Sequence, residues 1–162
     1  MSARTLSVLF VCLGNICRSP TADAVFRAQV AAAGLAARIR VDSCGTGNYH
    51  SGEAPDPRAT AAAARRGYDL STLRARQFAA DDFRRFDYIL AMDAANLAAL
   101  RPLRPGDFGG HLGLFLAFAA DCGRHGVPDP YFGGDSGFED VLDLVEAAGE
   151  GLLGELRREL RR

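Results

Sequence analysis

The run Leu6 to Val11, LSVLFV, ends in Cys12, and Arg18, Ser19 and Pro20 follow after a short loop. A continuous apolar run of this length suits a strand covered on both faces, as in a parallel sheet. Ser19 and Pro20 read as the N-cap and first residue of a helix. TADAVFRAQVAAAG then carries apolar residues at helical spacing and stops at Gly34, a C-terminal glycine. The chain must therefore pass from a buried strand to a helix through a loop that holds a thiol and a guanidinium. A purely structural cysteine would need none of that setting.

The pattern repeats downstream. ARIRVDSC is a second strand, and the Gly/Pro-rich GTGNYHSGEAPDP is a long loop. PRATAAAARRG is a helix ending at Gly67, and AADDFRRF is a short helix. FDYILAM is the third strand, and DAANLAALRP is a helix capped by Asp93 and stopped at Pro102. HLGLFLAFA is the fourth strand, GVPDPYFGGDSG is a loop, and FEDVLDLVEAAGEGLLGELRREL is a long amphipathic helix. Alternating strands and helices imply βαβ units with right-handed crossovers. The expected architecture is a single α/β domain over residues 1–162: a four-stranded parallel sheet, helices on both sides, Rossmann-like and doubly wound. In such sheets ligands lie beyond the carboxyl ends of the strands. Cys12 sits there, and the loops after strands two and four are placed to reach the same face.

Composition removes other classes. A net charge of −1 gives no general attraction to nucleic acid or anionic membranes. No apolar stretch approaches the ~20 residues of a membrane helix. The N-terminus runs straight into a strand, so no signal peptide is expected and a cytoplasmic protein is the default. Cys12, Cys17, Cys44 and Cys122 are then expected as reduced thiols. His50, His111 and His125 are scattered, away from ligand spacing with the cysteines, so neither a metal nor another cofactor is expected. All 19 basic residues are arginine, which excludes lysine Schiff-base chemistry. The arginines of RRELRR read as a solvated helix end. A monomer is the simplest expectation.

The loop from Cys12 to Arg18 can curl so that its N–H groups converge on one point. Gly14 and Asn15 both tolerate positive φ. The helix start adds unpaired N–H groups and the positive end of its dipole. Leu13, Gly14, Asn15, Ile16, Cys17, Arg18 and Ser19 together would form an anion cradle. Arg18 can grip two oxygens of a phosphate. The same field is expected to hold Cys12 as a thiolate beneath it, since such settings lower a thiol pKa to roughly 3.5–7.5. That is a nucleophile placed for in-line attack on phosphorus. Ser19 can donate a hydrogen bond to the sulfur.

VLFVCLGNICRSP resembles the phosphate loop of the low-molecular-weight protein tyrosine phosphatases throughout its length, and the resemblance runs from about Leu6 to about Leu160. It implies a phosphocysteine intermediate without a metal. It also implies a general acid in an Asp-Pro-Tyr loop, supplied here by Asp129 before Pro130 and Tyr131. Ser43 stands where that family has a serine bonded to the loop asparagine, here Asn15. Tyr49, Tyr131 and Phe132 would form the substrate rim. Cys17 stands where a second cysteine can form a reversible disulfide with the nucleophile. The implied enzyme is a protein-tyrosine-phosphatase, a phosphoric monoester hydrolase. Its partner is a phosphotyrosine protein, with a cognate bacterial tyrosine kinase suggested by family analogy.

The chain departs from the pattern in places. Phe132 replaces a common second tyrosine, Tyr49 stands where many bacterial members carry tryptophan, and Cys44 stands where alanine is frequent. Cys44 reads as a buried small side chain and His50 as solvated rim surface. Two related activities share the loop. A protein-arginine phosphatase commonly carries threonine at the position of Ile16. A thiol-dependent arsenate reductase needs a relay of spaced cysteines, which Cys44 and Cys122 do not form. A non-catalytic phosphate-binding module would lack the nucleophile or the acid.

Overall fold

The computed structural model describes residues 4–119, 123–130 and 136–162. Four strands, β1 (Leu6–Cys12), β2 (Ile39–Gly45), β3 (Tyr88–Ala91) and β4 (His111–Leu114), form one parallel sheet in the order β2-β1-β3-β4. The chain thus winds outward from β1 in both directions, and Cys12 is the last residue of that central strand.

Alternation along β1 sorts its side chains to two cores, as the two-residue strand period requires. Leu6, Val8, Phe10 and Cys12 join one, with α1 (Arg18–Ala32), α2 (Pro57–Arg65) and α5 (Ser136–Leu160). Leu9 and Val11 join the other, with α3 (Asp82–Arg85) and α4 (Ala94–Leu100). The expected doubly wound α/β domain, with helices on both faces, is therefore observed. Phe10 is the centre of the first core, with Phe26 and Phe115 packed edge-on at 5.8 and 4.8 Å.

The expected helix signals hold at several ends. Gly34 and Gly67 follow α1 and α2 with φ of 74° and 88°, the left-handed stop that glycine reaches most cheaply. Asp93 caps α4 by accepting from the Asn96 N–H at 2.8 Å. Pro102 lies one turn further, in a 3-10 turn over Arg101–Leu103.

Two expectations are corrected. Ser19 is not the cap of α1: that helix starts at Arg18, the residue before it is Cys17, and no side chain caps it. The Ser19 hydroxyl turns inward instead, to partners that only the tertiary fold supplies. The fourth strand does not run through Ala119. It ends at Leu114, and Phe115–Phe118 is a 3-10 helix that drives Phe115 into the core. A short apolar run carries no period that separates these outcomes. Among the described residues, no helix is long and apolar enough to cross a membrane.

Candidate active site

The loop between β1 and α1 has its outward hydrogen bonds made by the surrounding chain. The Cys12 and Leu13 carbonyls accept from Thr46 N and Gly47 N, at 2.8 and 2.9 Å. The Ile16 carbonyl accepts from Asp56 N at 2.8 Å, and the Cys17 carbonyl from Thr21 N and Oγ1. In a planar trans peptide the next residue's N–H points opposite its carbonyl. The amides of Leu13, Gly14, Cys17 and Arg18 are thereby turned to the inside of the curl. The left-handed residue of the loop is Asn15, with φ 58°, and not Gly14.

Asn15 is the hub of the buried side. Its backbone N–H donates to Cys12 Sγ at 3.3 Å. Its side-chain Nδ2 donates to Ser19 Oγ at 2.8 Å and to Ser43 Oγ at 3.1 Å. Ser19 Oγ lies 3.0 Å from Cys12 Sγ and 3.2 Å from the Cys44 carbonyl. Since Ser19 accepts from Asn15, its single hydroxyl proton is left for the sulfur or for that carbonyl. A thiolate at Cys12 would draw it.

Arg18 is buried, at 3% exposure, so its charge must be paired. Nη1 donates to Asp93 Oδ2 at 2.6 Å and to the Val127 carbonyl at 3.1 Å. Nη2 stands 3.6 Å from Asp129 Oδ2, whose side chain is 39% exposed. Asp93 therefore works at both oxygens: one caps α4, the other aims the guanidinium. Cys12, Leu13, Gly14, Ile16, Cys17, Arg18, Tyr49 and Asp129 line one cavity of about 150 Å³, open at its mouth. Asn15, Ser19 and Ser43 stand behind it, all buried. Tyr49 is 73% exposed at the rim. Tyr131, Phe132 and Cys122 lie outside the described residues.

Two thiols are neutralised by their surroundings. Burial, reinforced by the negative charges of Asp56, Cys12 and Asp129, pushes Cys17 up to about 12. Burial likewise raises Cys44 well above the ordinary thiol range. Cys44 pairs in register with Val11 and packs with it in the second core, on the far face of the sheet from Cys12.

Several site residues were not singled out from sequence as such. Asp93 was expected as a helix cap, without its bond to Arg18. His50 lines the cavity as well as standing in the solvated rim, with Nδ1 2.8 Å from Glu53 Oε2. Gly45 approaches the loop so closely that a Cβ there would lie 2.5 Å from the Leu13 carbonyl oxygen. The only local signals were a glycine directly after strand two and an aspartate directly after strand three, both at the ligand-binding edge.

A parallel α/β fold with a thiol, a buried guanidinium and a ring of inward amides at the carboxyl edge forms a site built for a phosphate-like anion beside a nucleophile. The model of the low molecular weight phosphotyrosine protein phosphatase family matches residues 7–162. A Streptomyces coelicolor low molecular weight protein-tyrosine-phosphatase is 48% identical over 159 residues, covering 96% of each chain. A crystal structure of a protein tyrosine phosphatase from Entamoeba histolytica superposes with a TM-score of 0.92 at 37% identity, covering 96% of this chain and 99% of that one. A Drosophila arginine phosphatase superposes at 0.86 with 30% identity, covering 92% and 96%. The chain belongs to the low molecular weight phosphotyrosine protein phosphatase family. By class it is a protein-tyrosine phosphatase, a hydrolase.

Proposed function

We propose that this phosphatase cleaves phosphotyrosine in proteins through a phosphocysteine intermediate on Cys12. The Cys12 thiolate attacks phosphorus, forming the S–P bond as the P–O bond to tyrosine breaks. Asp129 donates its proton to the departing phenolic oxygen. Arg18 and the inward amides hold the equatorial oxygens, whose charge peaks in the transition state. Water then attacks the phosphocysteine, Asp129 takes its proton, and the S–P bond breaks to give inorganic phosphate and the thiolate. A hydrogen bond from Ser19 to the sulfur makes it a better leaving group in this second step.

The observation that carries this reading is that Cys12, Arg18 and Asp129, from two distant parts of the chain, line one cavity. Leu13, Ile16 and Tyr49 add apolar walls suited to a phenyl ring. Because Arg18 and the amides supply the positive charge, turnover is expected in EDTA. Ile16 favours a tyrosine over an arginine substrate. A phosphotyrosine peptide should be hydrolysed at a kcat/KM well above that of the matching phosphoarginine peptide. The reverse ranking would replace this substrate assignment. The proposed partner is a tyrosine-phosphorylated protein, such as a bacterial tyrosine kinase, met by a monomer in the cytoplasm.

Cys17 is assigned a protective role in the same site. Peroxide would oxidise the Cys12 thiolate to the sulfenic acid. The Cys17 thiol would then attack that sulfur, closing a disulfide and releasing water. Held neutral by burial, Cys17 would not compete as a nucleophile in the resting enzyme. Peroxide inactivation should be reversed by dithiothreitol in the wild type, and irreversible in Cys17→Ser. Cys44→Ser should behave as wild type, because its side chain lies across the sheet. Reversible inactivation in Cys17→Ser would remove Cys17 from this role.

A further inference from the structure

Asn15 holds a left-handed conformation, φ 58°, which asparagine tolerates better than most non-glycine residues. Its side-chain amide also has two ends of similar shape, and a flipped amide would offer Ser19 and Ser43 an acceptor instead of a donor. One contact settles the orientation. Asn15 Oδ1 accepts from the backbone N–H of Arg76 at 3.0 Å. An N–H can only donate, so the oxygen must face Arg76 and Nδ2 must face the two serines. Ser19 is then an acceptor toward Asn15, and its own proton is left for Cys12 or the Cys44 carbonyl.

That N–H must itself be held in place. Residues 75–78 form a strap along the end of β2: Gly45 N donates to the Arg76 carbonyl at 2.8 Å, and Phe78 N to the Gly45 carbonyl at 2.7 Å. The strap also ties the rim, through Gly52 N to the Ala75 carbonyl and Ala75 N to the Glu53 carbonyl. The Arg76 side chain turns away from the cavity and forks onto Asp82, with Nη1 and Nη2 at 3.0 and 3.1 Å from its two oxygens. Nη2 also donates to Asp42 Oδ2 at 3.1 Å, on β2. Asp82 is 1% exposed and accepts from Ala79 N at 2.8 Å as well, so the anchor is set in the fold.

We infer that Arg76 is a positioning residue for catalysis: its guanidinium, forked onto Asp82 and Asp42, fixes the main-chain N–H that orients Asn15 and through it Ser19 and Cys12. This rests on the assignment of Cys12 as the nucleophile. A residue that only neutralised Asp82 would affect stability and leave the chemistry of a folded enzyme intact. A residue that acts through Asn15 must lose its effect once Asn15 is gone.

The test is a double-mutant cycle on kcat for p-nitrophenyl phosphate, with thermal melts to select folded variants. Arg76→Met is expected to lower kcat by about 10–100-fold, the range of a supporting-shell change. Asn15→Ala should lower it by at least as much, and the double variant should match Asn15→Ala within about twofold, because both act along one chain of contacts. Should Arg76→Met fail to fold, Arg76→Lys keeps a cation for Asp82, loses the fork and runs in the same cycle. Effects that multiply in the double variant, or full activity in a folded Arg76 variant, would overturn the role of Arg76 alone. Full activity in a folded Asn15→Ala would overturn the relay through Asn15, whereas turnover by Cys12→Ser would overturn the nucleophile assignment on which it rests.

Discussion

Cys12→Ser is expected to abolish turnover, by about 10⁴-fold or more in kcat, as removal of a covalent nucleophile does elsewhere. A serine hydroxyl is not ionised at neutral pH. Ser19 and the Asn15 N–H, the groups that approach the sulfur, are hydrogen-bond donors or sharers and not proton acceptors of sufficient strength. The fold should survive, because the substitution is nearly isosteric in a site whose shape is set by backbone bonds from Thr46, Gly47 and Asp56. Arg18 and the inward amides remain, so the variant should still bind inorganic phosphate. Calorimetric titration with phosphate against a kinetic assay separates the two properties. Binding without turnover is the expected pair of results. Turnover within tenfold of wild type would move the nucleophile elsewhere.

Asp129→Ala should lower kcat for a phosphotyrosine peptide by about 10²–10⁴-fold, the usual contribution of a positioned general acid. The loss should be smaller with p-nitrophenyl phosphate, whose leaving group needs less protonation. The ground state should respond in the opposite direction. The carboxylate stands 3.6 Å from Arg18 Nη2, so its removal leaves that cation more available to the phosphate dianion. KM and the inhibition constant for phosphate are expected to fall while kcat collapses. Equal losses on both substrates, or a weaker phosphate complex, would mean that Asp129 binds substrate and transfers no proton.

The parts legible in the sequence were those with local causes. The β1 run, the glycines at positions 34 and 67, the Asp93 cap and the spacing from Cys12 to Arg18 each carry their own backbone or packing requirement. Ser19 does not cap α1 although Ser-Pro satisfies the local rule; its expected contact with the Cys12 sulfur is present, and the partner without a local signal is Asn15. The fourth strand was overextended because HLGLFLAFA is apolar without a period, and the pull of Phe115 toward Phe10 is tertiary. Asp93 gave only half its role, since its second oxygen meets Arg18 across the end of the sheet. Arg76 had no local signature at all. Its partners Asn15, Asp42 and Asp82 come from three separate segments, and its contribution to the loop is made by a main-chain N–H.

A phosphocysteine mechanism requires a covalent bond between Cys12 and phosphorus. It is tested most directly by acid-quenching Asp129→Ala during turnover of p-nitrophenyl phosphate and mapping the digest by mass spectrometry. In this variant the first step can proceed with an activated leaving group, while the water that completes the second has lost its base. A phosphoryl adduct is expected on the peptide carrying Cys12 and absent from the Cys12→Ser/Asp129→Ala double variant. A turning-over enzyme with no adduct at any quench time, or an adduct on another residue, would contradict it.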